Sequence, residues 1–227
     1  MGDAVLVAGG TGALGAGVLR VLVDAGRPVT ATYLEERERE RVEAEFGAAV
    51  PLIRADLMDA GEVEDAVGAV EDLGAVVNLV GGFKAGPKVH ETSVADWDEL
   101  LTLNLRPGFL LARAAMPRLI AAGGGAYVGV SARPALKPFA GAAAYVTSKA
   151  AVIAFVQALD ADYRAEGIRA NCVLPSVIDT PANRASMPGS DFAKWVAPEA
   201  IGRVIGFLVS GDSAVTSGAA IPVYGRA

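Results

Sequence analysis

The sequence predicts an α/β fold of three layers, in which a doubly wound parallel sheet of about seven strands carries helices on both faces. Three observations lead to this fold class. Short apolar segments of strand length alternate along the chain with segments of helical periodicity. The hydrophobic content of 52% and the mean hydropathy of +0.39 suit a sheet that is buried on both faces. A glycine-rich turn lies between the first predicted strand and the first predicted helix.

The alternation extends along the whole chain, and its 227 residues fit one domain, 1–227, with a substantial core. The predicted strands lie near residues 4–8, 28–33, 50–55, 75–80, 126–131, 168–174 and 219–223. No internal repeat or linker interrupts this order, which is typical of strands joined by crossover helices.

The first strand leads directly into the glycine-rich turn, and helical periodicity follows as far as Gly26. Strand, turn and helix in this order are the context of a dinucleotide-binding fingerprint, which the glycine spacing matches. Glycines let the backbone approach a pyrophosphate at the positive end of the helix. The predicted cofactor contacts here are Gly9, Gly10, Thr11, Gly12, Ala13, Leu14 and Gly15.

Tyr145 and Lys149 are four residues apart, so in a helix both side chains project from the same face. A free phenol has a pKa of about 10 and is a poor general base at neutral pH. A lysine held close by stabilises the phenolate and lowers that pKa. The pair can then exchange a proton with an alcohol or a carbonyl oxygen, which predicts Tyr145 as the general acid or base.

Further motifs follow in order after the glycine turn. They are Asp56-Leu57, Asn78-Leu79-Val80-Gly81, Asn104, Ser131 and Pro175-Ser176-Val177-Ile178-Asp179-Thr180. Together with the turn and the Tyr145–Lys149 pair, they make the chain resemble the short-chain dehydrogenase/reductase family over nearly its whole length. The resemblance implies a Rossmann fold and an oxidoreductase that transfers hydride between a nicotinamide cofactor and a carbonyl or alcohol substrate.

The resemblance also implies a role for each motif. Tyr145, Lys149, Asn104 and Ser131 match the catalytic positions, with Asn104 helping to hold a water that links Lys149 to solvent. Tyr145 and Lys149 also belong to the cofactor site, where Lys149 would bond to the nicotinamide ribose. The other expected cofactor contacts fall into three groups. Tyr33 lies at the end of the second strand, and Asp56 and Leu57 lie near the adenine. Asn78, Val80 and Gly81 follow the fourth strand, and Pro175, Val177, Ile178 and Thr180 are expected at the nicotinamide carboxamide.

The position of the catalytic serine stays open. In the family this serine usually precedes the tyrosine by thirteen residues, and Ala132 occupies that position here. Either one inserted residue restores Ser131, or the hydroxyl that polarises the substrate oxygen is absent.

The second half of the chain has a closer resemblance to dihydropteridine reductases, which reduce quinonoid dihydropterin with NADH. The residues that carry it are Gly81-Gly82-Phe83, Ser131 to Leu136, Asp179 to Arg184, Ser186-Met187-Pro188, Asp191, Phe192 and Trp195. Those enzymes likewise have a small residue at the serine position. The likeness supports kinship more than it supports a substrate, because function follows the site rather than the fold.

Residues 181–198 follow the segment expected to contact the nicotinamide and show little periodicity. Loops of this length usually have a function, so we expect a substrate lid at about 181–198 that contains Met187, Phe192 and Trp195. Arg133 and Lys137 are expected near the mouth of the site, where they could meet an anionic substrate.

The choice of cofactor depends on the end of the second strand. Tyr33 stands where NAD-specific members place an acid that bonds the ribose 2′-hydroxyl. No arginine occurs in this region before Arg37, and the glycine turn has no basic residue. The expected cofactor is NADP or NAD, and the missing acid favours NADP.

Composition narrows the partners and the compartment. A net charge of −6 and a pI near 4.9 argue against nucleic acid, and no apolar run reaches the roughly 18 residues of a membrane span. Cys172 is the only cysteine, which excludes an internal disulfide and favours the cytoplasm. One cysteine and one histidine cannot form a standard zinc site, so no metal is expected. A small-molecule substrate is expected, and the resemblance implies a homodimer or homotetramer formed through the helices of Asn104 and Tyr145.

Three functions are left open by the sequence. The first is a carbonyl or 3-oxoacyl-thioester reductase with Tyr145 as the acid or base. The second is a dihydropteridine reductase. The third is a regulator that binds the dinucleotide without turnover.

Overall fold

The computed structural model describes residues 2–226. Its strands are β1 (Ala4–Ala8), β2 (Val29–Tyr33), β3 (Leu52–Arg54), β4 (Leu73–Asn78), β5 (Gly125–Val130), β6 (Ile168–Pro175) and β7 (Ala220–Val223). They form one sheet in the order β3-β2-β1-β4-β5-β6-β7, and every neighbouring pair is parallel. The predicted seven-stranded, doubly wound sheet is therefore confirmed.

The helices are α1 (Ala13–Asp24), α2 (Glu36–Phe46), α3 (Ala60–Gly68), α4 (Val94–Ala121), α5 (Ala143–Tyr163), α6 (Pro181–Ser186) and α7 (Pro198–Val209). Side chains alternate between the two faces of each strand, so β1 contributes to two cores. Val5 and Val7 pack with α1, α2 and α7, whereas Leu6 and Ala8 pack with α3, α4 and α5. Helices thus cover both faces, as the three-layer prediction requires.

The helices α1 and α7 pack against each other through glycine. A Cβ atom on Gly17 would lie 2.4 Å from the Cβ of Pro198, and one on Gly202 would lie 3.0 Å from the Gly17 carbonyl oxygen. Both positions therefore exclude a side chain. The contact fixes α1, whose first turn follows the glycine-rich segment.

The strand order reverses between β1 and β4, because the chain runs outward from β1 to β3 and then returns to the other side of β1. All the strands are parallel, so their carboxyl ends lie at one edge of the sheet. A ligand crevice is expected at this edge, beside the reversal. Gly9, Asn78, Ser131 and Pro175 all stand at or just after the carboxyl ends of β1, β4, β5 and β6.

The segment 181–198 is more ordered than predicted. We expected an irregular loop, but its first six residues form α6, and residues 192–194 form a 3₁₀ turn. The start signal is local, because the Thr180 hydroxyl accepts a hydrogen bond from the Asn183 N–H at 3.2 Å and Pro181 opens the helix. The loop prediction was incorrect for residues 181–186, and the function of the segment as a lid remains a prediction.

Among the helices of residues 2–226, none combines the length and the apolar character that a bilayer span requires.

Candidate active site

Two positions in the glycine-rich turn after β1 favour glycine, one by its backbone conformation and one by a close contact. Gly9 has a φ of +72°, a conformation that favours glycine, and its N–H donates to the Thr32 hydroxyl oxygen at 3.1 Å. A Cβ atom on Gly15 would lie 2.1 Å from the Gly10 carbonyl oxygen. The turn and α1 are therefore packed backbone to backbone.

Gly12, at the N-cap of α1, behaves differently. A Cβ atom there would meet only the Gly9 carbonyl oxygen, at the ordinary distance of 3.6 Å. No side chain caps the helix, and its first turn has no acidic residue. The space in front of the helix amides is therefore open to an anion, and a dinucleotide pyrophosphate fits this chain.

Side chains of α2 reach back to the glycine turn. The Thr11 hydroxyl donates to Glu38 Oε2 at 3.0 Å, and the Arg41 guanidinium donates to the Thr11 carbonyl oxygen. The Tyr33 hydroxyl lies 3.4 Å from Glu36 Oε1. Sequence reasoning missed Glu38 and Arg41, because their charge pattern is that of any solvated helix.

Asp56 and Leu57 lie in the turn after β3. The Asp56 Oδ1 atom accepts a hydrogen bond from the Met58 N–H at 2.9 Å, and its own N–H donates to Glu62 Oε2 at 2.8 Å. Leu57 is buried in the core. These bonds fix the turn beside the carboxyl edge of the sheet.

Gly81 is the point at which several predicted residues meet. A Cβ atom on Gly81 would lie 2.5 Å from Asn104 Oδ1 and 2.8 Å from Lys149 Nζ. Upstream, Asn78 Oδ1 accepts a hydrogen bond from the Val80 N–H at 3.1 Å and so fixes the bend after β4. The structure thus brings together Gly81, Asn104 and Lys149, which come from three separate segments.

The Asn104 side chain is fully engaged by the protein. Its Oδ1 atom accepts from the Gly82 N–H at 3.0 Å, and its Nδ2 atom donates to the Gly82 carbonyl oxygen at 3.2 Å and to Ser148 Oγ at 3.0 Å. Asn104 therefore anchors the segment after β4 to α4 and α5. Sequence reasoning did not identify Gly82 or Ser148 as its partners.

Lys149 is buried and is bound to the end of β5. Its Nζ atom donates to the Val130 carbonyl oxygen at 3.1 Å, and no carboxylate pairs with it among residues 2–226. Burial lowers the pKa of Lys149 to about 8.

Ser131 is bound to the same lysine by another atom. The Ser131 hydroxyl, which is buried, donates to the main-chain carbonyl oxygen of Lys149 at 2.7 Å. A hydroxyl has one proton to donate, and here the bond links β5 to α5. At the neighbouring position, Ala132 has only a methyl group.

Tyr145 is half-buried, and its ring packs edge-on against Phe83 with the centroids 4.9 Å apart. Burial raises the pKa of Tyr145 to about 12. This direction is opposite to the lowering that we expected from Lys149, and its cause is the desolvation of the phenol by burial. Tyr145 is therefore a neutral phenol at neutral pH, the form that can donate a proton.

The loops after β4 and β5 are joined near this tyrosine. The Gly86 N–H donates to the Gly141 carbonyl oxygen at 2.8 Å, and the two residues have φ values of +145° and +79°. A Cβ atom on Gly141 would lie 2.5 Å from the Gly86 carbonyl oxygen. Glycine is therefore required for this connection.

The segment after β6 is attached to the end of the expected lid. The Val196 N–H donates to the Val177 carbonyl oxygen at 3.0 Å, and Ile178 forms an isolated parallel bridge with Val196. Pro175 ends β6, and Thr180 caps α6. The four residues expected at the nicotinamide carboxamide therefore lie in one braced segment.

The expected lid residues lie around this segment. The rings of Phe192 and Trp195 are 4.7 Å apart, and the Arg184 guanidinium lies 4.8 Å from the Phe192 ring centre. Arg184 also bonds both carboxylate oxygens of Asp179, at 2.5 and 2.7 Å. Met187 is the C-cap of α6 and is half-exposed.

Two basic residues follow β5. Arg133 places its guanidinium over the Tyr224 ring, 5.1 Å from the ring centre, whereas Lys137 is exposed. Across the described part of the chain, no group of three or more His, Cys, Asp or Glu side chains is arranged to hold a metal.

Comparison with known proteins identifies the family. The model of the short chain dehydrogenase family matches residues 3–190. The chain belongs to the short-chain dehydrogenase family. It is therefore an NAD(P)-dependent oxidoreductase, and the family resemblance seen in the sequence is confirmed. The closer likeness to dihydropteridine reductases is not tested by the comparison and remains a prediction.

Two curated members of the family illustrate its range. The 2-(R)-hydroxypropyl-CoM dehydrogenase of Xanthobacter autotrophicus is 32% identical over 218 residues, which cover 88% of this chain and 86% of that protein. The D-threitol dehydrogenase of Mycolicibacterium smegmatis is 28% identical over 99% of this chain and 92% of its own length.

Solved structures of family members agree in fold. A short-chain type dehydrogenase/reductase from Mycobacterium ulcerans superimposes with a TM-score of 0.93 at 25% identity, over 99% of this chain and 89% of its own. A blue fluorescent protein from a metagenomic library, solved in complex with NADPH, gives a TM-score of 0.88 at 26% identity, over 100% of this chain and 98% of its own.

Proposed function

We propose that this chain transfers hydride between NADP(H) and a carbonyl or alcohol substrate, with Tyr145 as the general acid or base. The observation that carries the proposal is the arrangement of α5 at the carboxyl edge of the sheet. There, a buried Lys149 without a carboxylate partner lies one helical turn from a half-buried Tyr145. A buried ammonium without a carboxylate partner opposes folding, so its presence one helical turn from a tyrosine hydroxyl favours a chemical role.

The residues that would hold the cofactor follow from the geometry. The turn from Gly9 to Gly15 would bind the pyrophosphate, and Tyr33, Asp56 and Leu57 the adenosine half. Asn78, Val80, Gly81, Tyr145 and Lys149 would bind the nicotinamide riboside, and Pro175, Val177, Ile178 and Thr180 its carboxamide. When bound, the nicotinamide supplies or accepts the hydride.

The protein's own part in the reaction is the movement of a proton. In reduction, the Tyr145 hydroxyl donates its proton to the substrate oxygen, and the Lys149 ammonium stabilises the phenolate that remains. Asn104 keeps Gly82, and with it the segment beside Lys149, in place. Residues 181–198 would close over the substrate and exclude water.

NADP is the proposed cofactor rather than NAD. The position at the end of β2 holds Tyr33 instead of an acid, and the Arg41 guanidinium is placed at the glycine turn by its bond to Thr11. A guanidinium is the side chain best suited to a 2′-phosphate. Glu38 is an acid at the same turn, because its carboxylate accepts a hydrogen bond from the Thr11 hydroxyl, and its charge would oppose a 2′-phosphate.

Reduction of a quinonoid dihydropterin is the second candidate, and one observation favours it. The Ser131 hydroxyl donates to the Lys149 carbonyl oxygen, and Ala132 provides no hydroxyl. A substrate whose electron-poor bond needs no hydroxyl to polarise it suits such a site.

The test is a cofactor titration followed by a substrate comparison. Purified protein is titrated with NADPH and with NADH, and nicotinamide fluorescence is followed. Quinonoid dihydropterin and a short 3-oxoacyl thioester are then added to the cofactor that binds more tightly, with absorbance as the readout. Oxidation by the thioester supports the carbonyl reductase, and oxidation by the pterin alone supports the second candidate. Cofactor binding without turnover of any carbonyl substrate would contradict the main proposal.

The proposal extends to assembly and location. We propose a homodimer or homotetramer formed through α4 and α5, supported by the exposed Phe109 on α4. The cytoplasm is the proposed compartment, supported by the single, buried Cys172.

A further inference from the structure

Arg133 stands at the carboxyl edge of the sheet, in a position that the proposed chemistry does not use. It opens the short 3₁₀ turn Arg133–Ala135 just after β5, and its guanidinium lies over the ring of Tyr224, which follows β7. In the sheet β6 lies between β5 and β7, so the side chain spans the end of β6. The segment expected to contact the nicotinamide begins at that end.

The charge of Arg133 is not neutralised by the protein. Within residues 2–226, its guanidinium forms no ion pair and no side-chain hydrogen bond. Arg184, on α6, provides a contrast, because it stacks on Phe192 and also bonds both oxygens of Asp179. The Arg133 guanidinium is therefore a cation that the surrounding protein leaves without a counterion.

The stacking on Tyr224 orients this charge. Tyr224 is itself fixed, because its carbonyl oxygen accepts a hydrogen bond from the Ser176 hydroxyl at 2.7 Å. A ring under the guanidinium face leaves the N–H groups at its edge available, and that edge matches the two oxygens of an oxyanion. A group held in this way loses little conformational freedom on binding.

We propose that Arg133 binds an anionic group of the substrate, a carboxylate or another oxyanion placed away from the carbon that exchanges hydride. The inference rests on the proposed function, because it names the substrate class of the same site. It predicts that the enzyme prefers keto acids to neutral ketones of the same shape. Arg133 is then a specificity residue, which contacts substrate but takes no part in proton transfer.

The experiment compares acids with their methyl esters. The probes are 3-oxobutanoate, 4-oxopentanoate and 5-oxohexanoate, each paired with its methyl ester, so that the anion stands at three distances from the ketone. For each pair, kcat/KM is measured in the wild type, Arg133→Gln, Arg133→Lys and the control Arg203→Gln, which removes an exposed cation on α7. Thermal unfolding and cofactor titration establish that each variant folds.

A second measurement does not depend on turnover. The dissociation constant of each acid and ester is measured by calorimetry in the presence of the oxidised cofactor, which cannot reduce them. If no carbonyl compound is turned over but the acids still bind through Arg133, the proposed function fails and the anion site stands. If esters are reduced as well as acids and Arg133→Gln changes neither, the function stands and the anion site fails.

The expected result is a preference of at least about 10-fold for one acid over its ester in the wild type. Arg133→Gln should lower kcat/KM and affinity for that acid by about 10- to 100-fold and leave the ester within about twofold. Arg133→Lys should retain part of the preference, and Arg203→Gln nearly all of it. Equal use of acid and ester in all three pairs, or an equal loss of both in Arg133→Gln, would overturn the proposal.

Discussion

Lys149, the proposed partner of Tyr145 in proton transfer, is buried at the expense of stability. Its folded pKa is lowered by burial to about 8, whereas an unfolded lysine titrates at about 10.4. Between these two values the unfolded chain binds more protons, so the stability of the protein rises with pH across this window. At pH 7 the lysine is charged in both states, and burial disfavours the folded one.

Lys149→Met should therefore stabilise the protein at pH 7. The two pKa values imply a gain on the order of 1–3 kcal/mol, reduced by loss of the bond to Val130. The advantage should shrink as the pH is raised from 8 to above 10, where the wild-type lysine becomes neutral. Denaturant unfolding of both proteins at pH 7 and pH 10 measures this difference. A variant less stable than the wild type at pH 7 would contradict the argument.

Tyr145→Phe tests the proton donor. The change removes the hydroxyl and keeps the ring against Phe83, so the fold and the cofactor site should be preserved. We expect kcat for a carbonyl substrate to fall by about 10²- to 10⁴-fold, with the dissociation constant of the cofactor changed less than about threefold. Steady-state kinetics and cofactor fluorescence measure the two quantities. An unchanged kcat would remove Tyr145 from the mechanism.

Arg41→Gln tests the choice of cofactor. If Arg41 meets a 2′-phosphate, the variant should bind NADPH about 10-fold more weakly and NADH within about threefold of the wild type. Arg39→Gln is the matched control, because Arg39 on the same helix is occupied by Glu36 and Glu43. A wild type that prefers NADH would instead give Glu38 the task of accepting the ribose hydroxyl.

At the residue scale, the spacing of residues along the sequence predicted which residues belong to the site but not which contacts they form. The spacing of Tyr145 and Lys149 and the position of Asn104 led to residues of one region, in which Asn104 and Lys149 meet beside Gly81 and Tyr145 packs against Phe83. The bond of Ser131 to the Lys149 carbonyl and that of Arg41 to Thr11 were not predictable, because they join residues from different elements. The raised pKa of Tyr145 was also missed, since burial cannot be deduced from helical spacing.

At the scale of elements, glycine is used for two different reasons in the turn into α1: packing at Gly15 and space for the proposed cofactor at Gly12. At Gly15 a methyl group would collide with the Gly10 backbone, whereas at Gly12 it would make only an ordinary contact with the Gly9 carbonyl oxygen. Gly15→Ala should therefore destabilise the protein by about 1–3 kcal/mol. Gly12→Ala should leave stability within about 1 kcal/mol and weaken cofactor binding by at least about 10-fold. Thermal unfolding and fluorescence titration of both variants check this, and equal effects of the two changes would contradict the distinction.

Element prediction succeeded where periodicity and punctuation agreed, as in the seven strands. It failed at α6, where the helix has six residues and shows no periodicity. Thr180 and Pro181 are the signal for the start of this helix, and both also fit the nicotinamide-contacting motif. A family motif and a helix cap overlap at these residues, and the sequence prediction used only the motif.

At the scale of the whole molecule, α4 and α5 leave an apolar surface. Phe109 is 53% exposed and Ile120 is 42% exposed, and a cavity of about 290 Å³ lies beside them and Phe155. Isolated exposed apolar residues are common, but two of them on α4 beside the partly buried Phe155 of α5 form a group that is typical of an interface. A buried core would use the same apolar residues, so the sequence pattern alone did not distinguish this surface from the core.

Phe109→Glu should separate the proposed oligomer. A carboxylate in a symmetric interface meets its own copy, so both repulsion and desolvation oppose assembly. We expect light scattering after gel filtration to give at least twice the chain mass of 23.1 kDa for the wild type and about half the wild-type mass for the variant. Val89→Glu is the control, because Val89 is 71% exposed and lies outside α4 and α5, in the segment between β4 and α4. A monomeric wild type would refute the assembly.

The single backbone hydrogen bond between Gly86 and Gly141 limits how this protein can be redesigned. The loops that it joins border Phe83 and Arg133, so they are the natural targets for changing the substrate range. Exchanging one loop with that of a relative would separate two glycines with positive φ values, of which Gly141 has no room for a side chain against the Gly86 carbonyl oxygen. The pair must therefore be transplanted as a unit, and a library that randomises either loop alone should be depleted of active clones in which its glycine is lost.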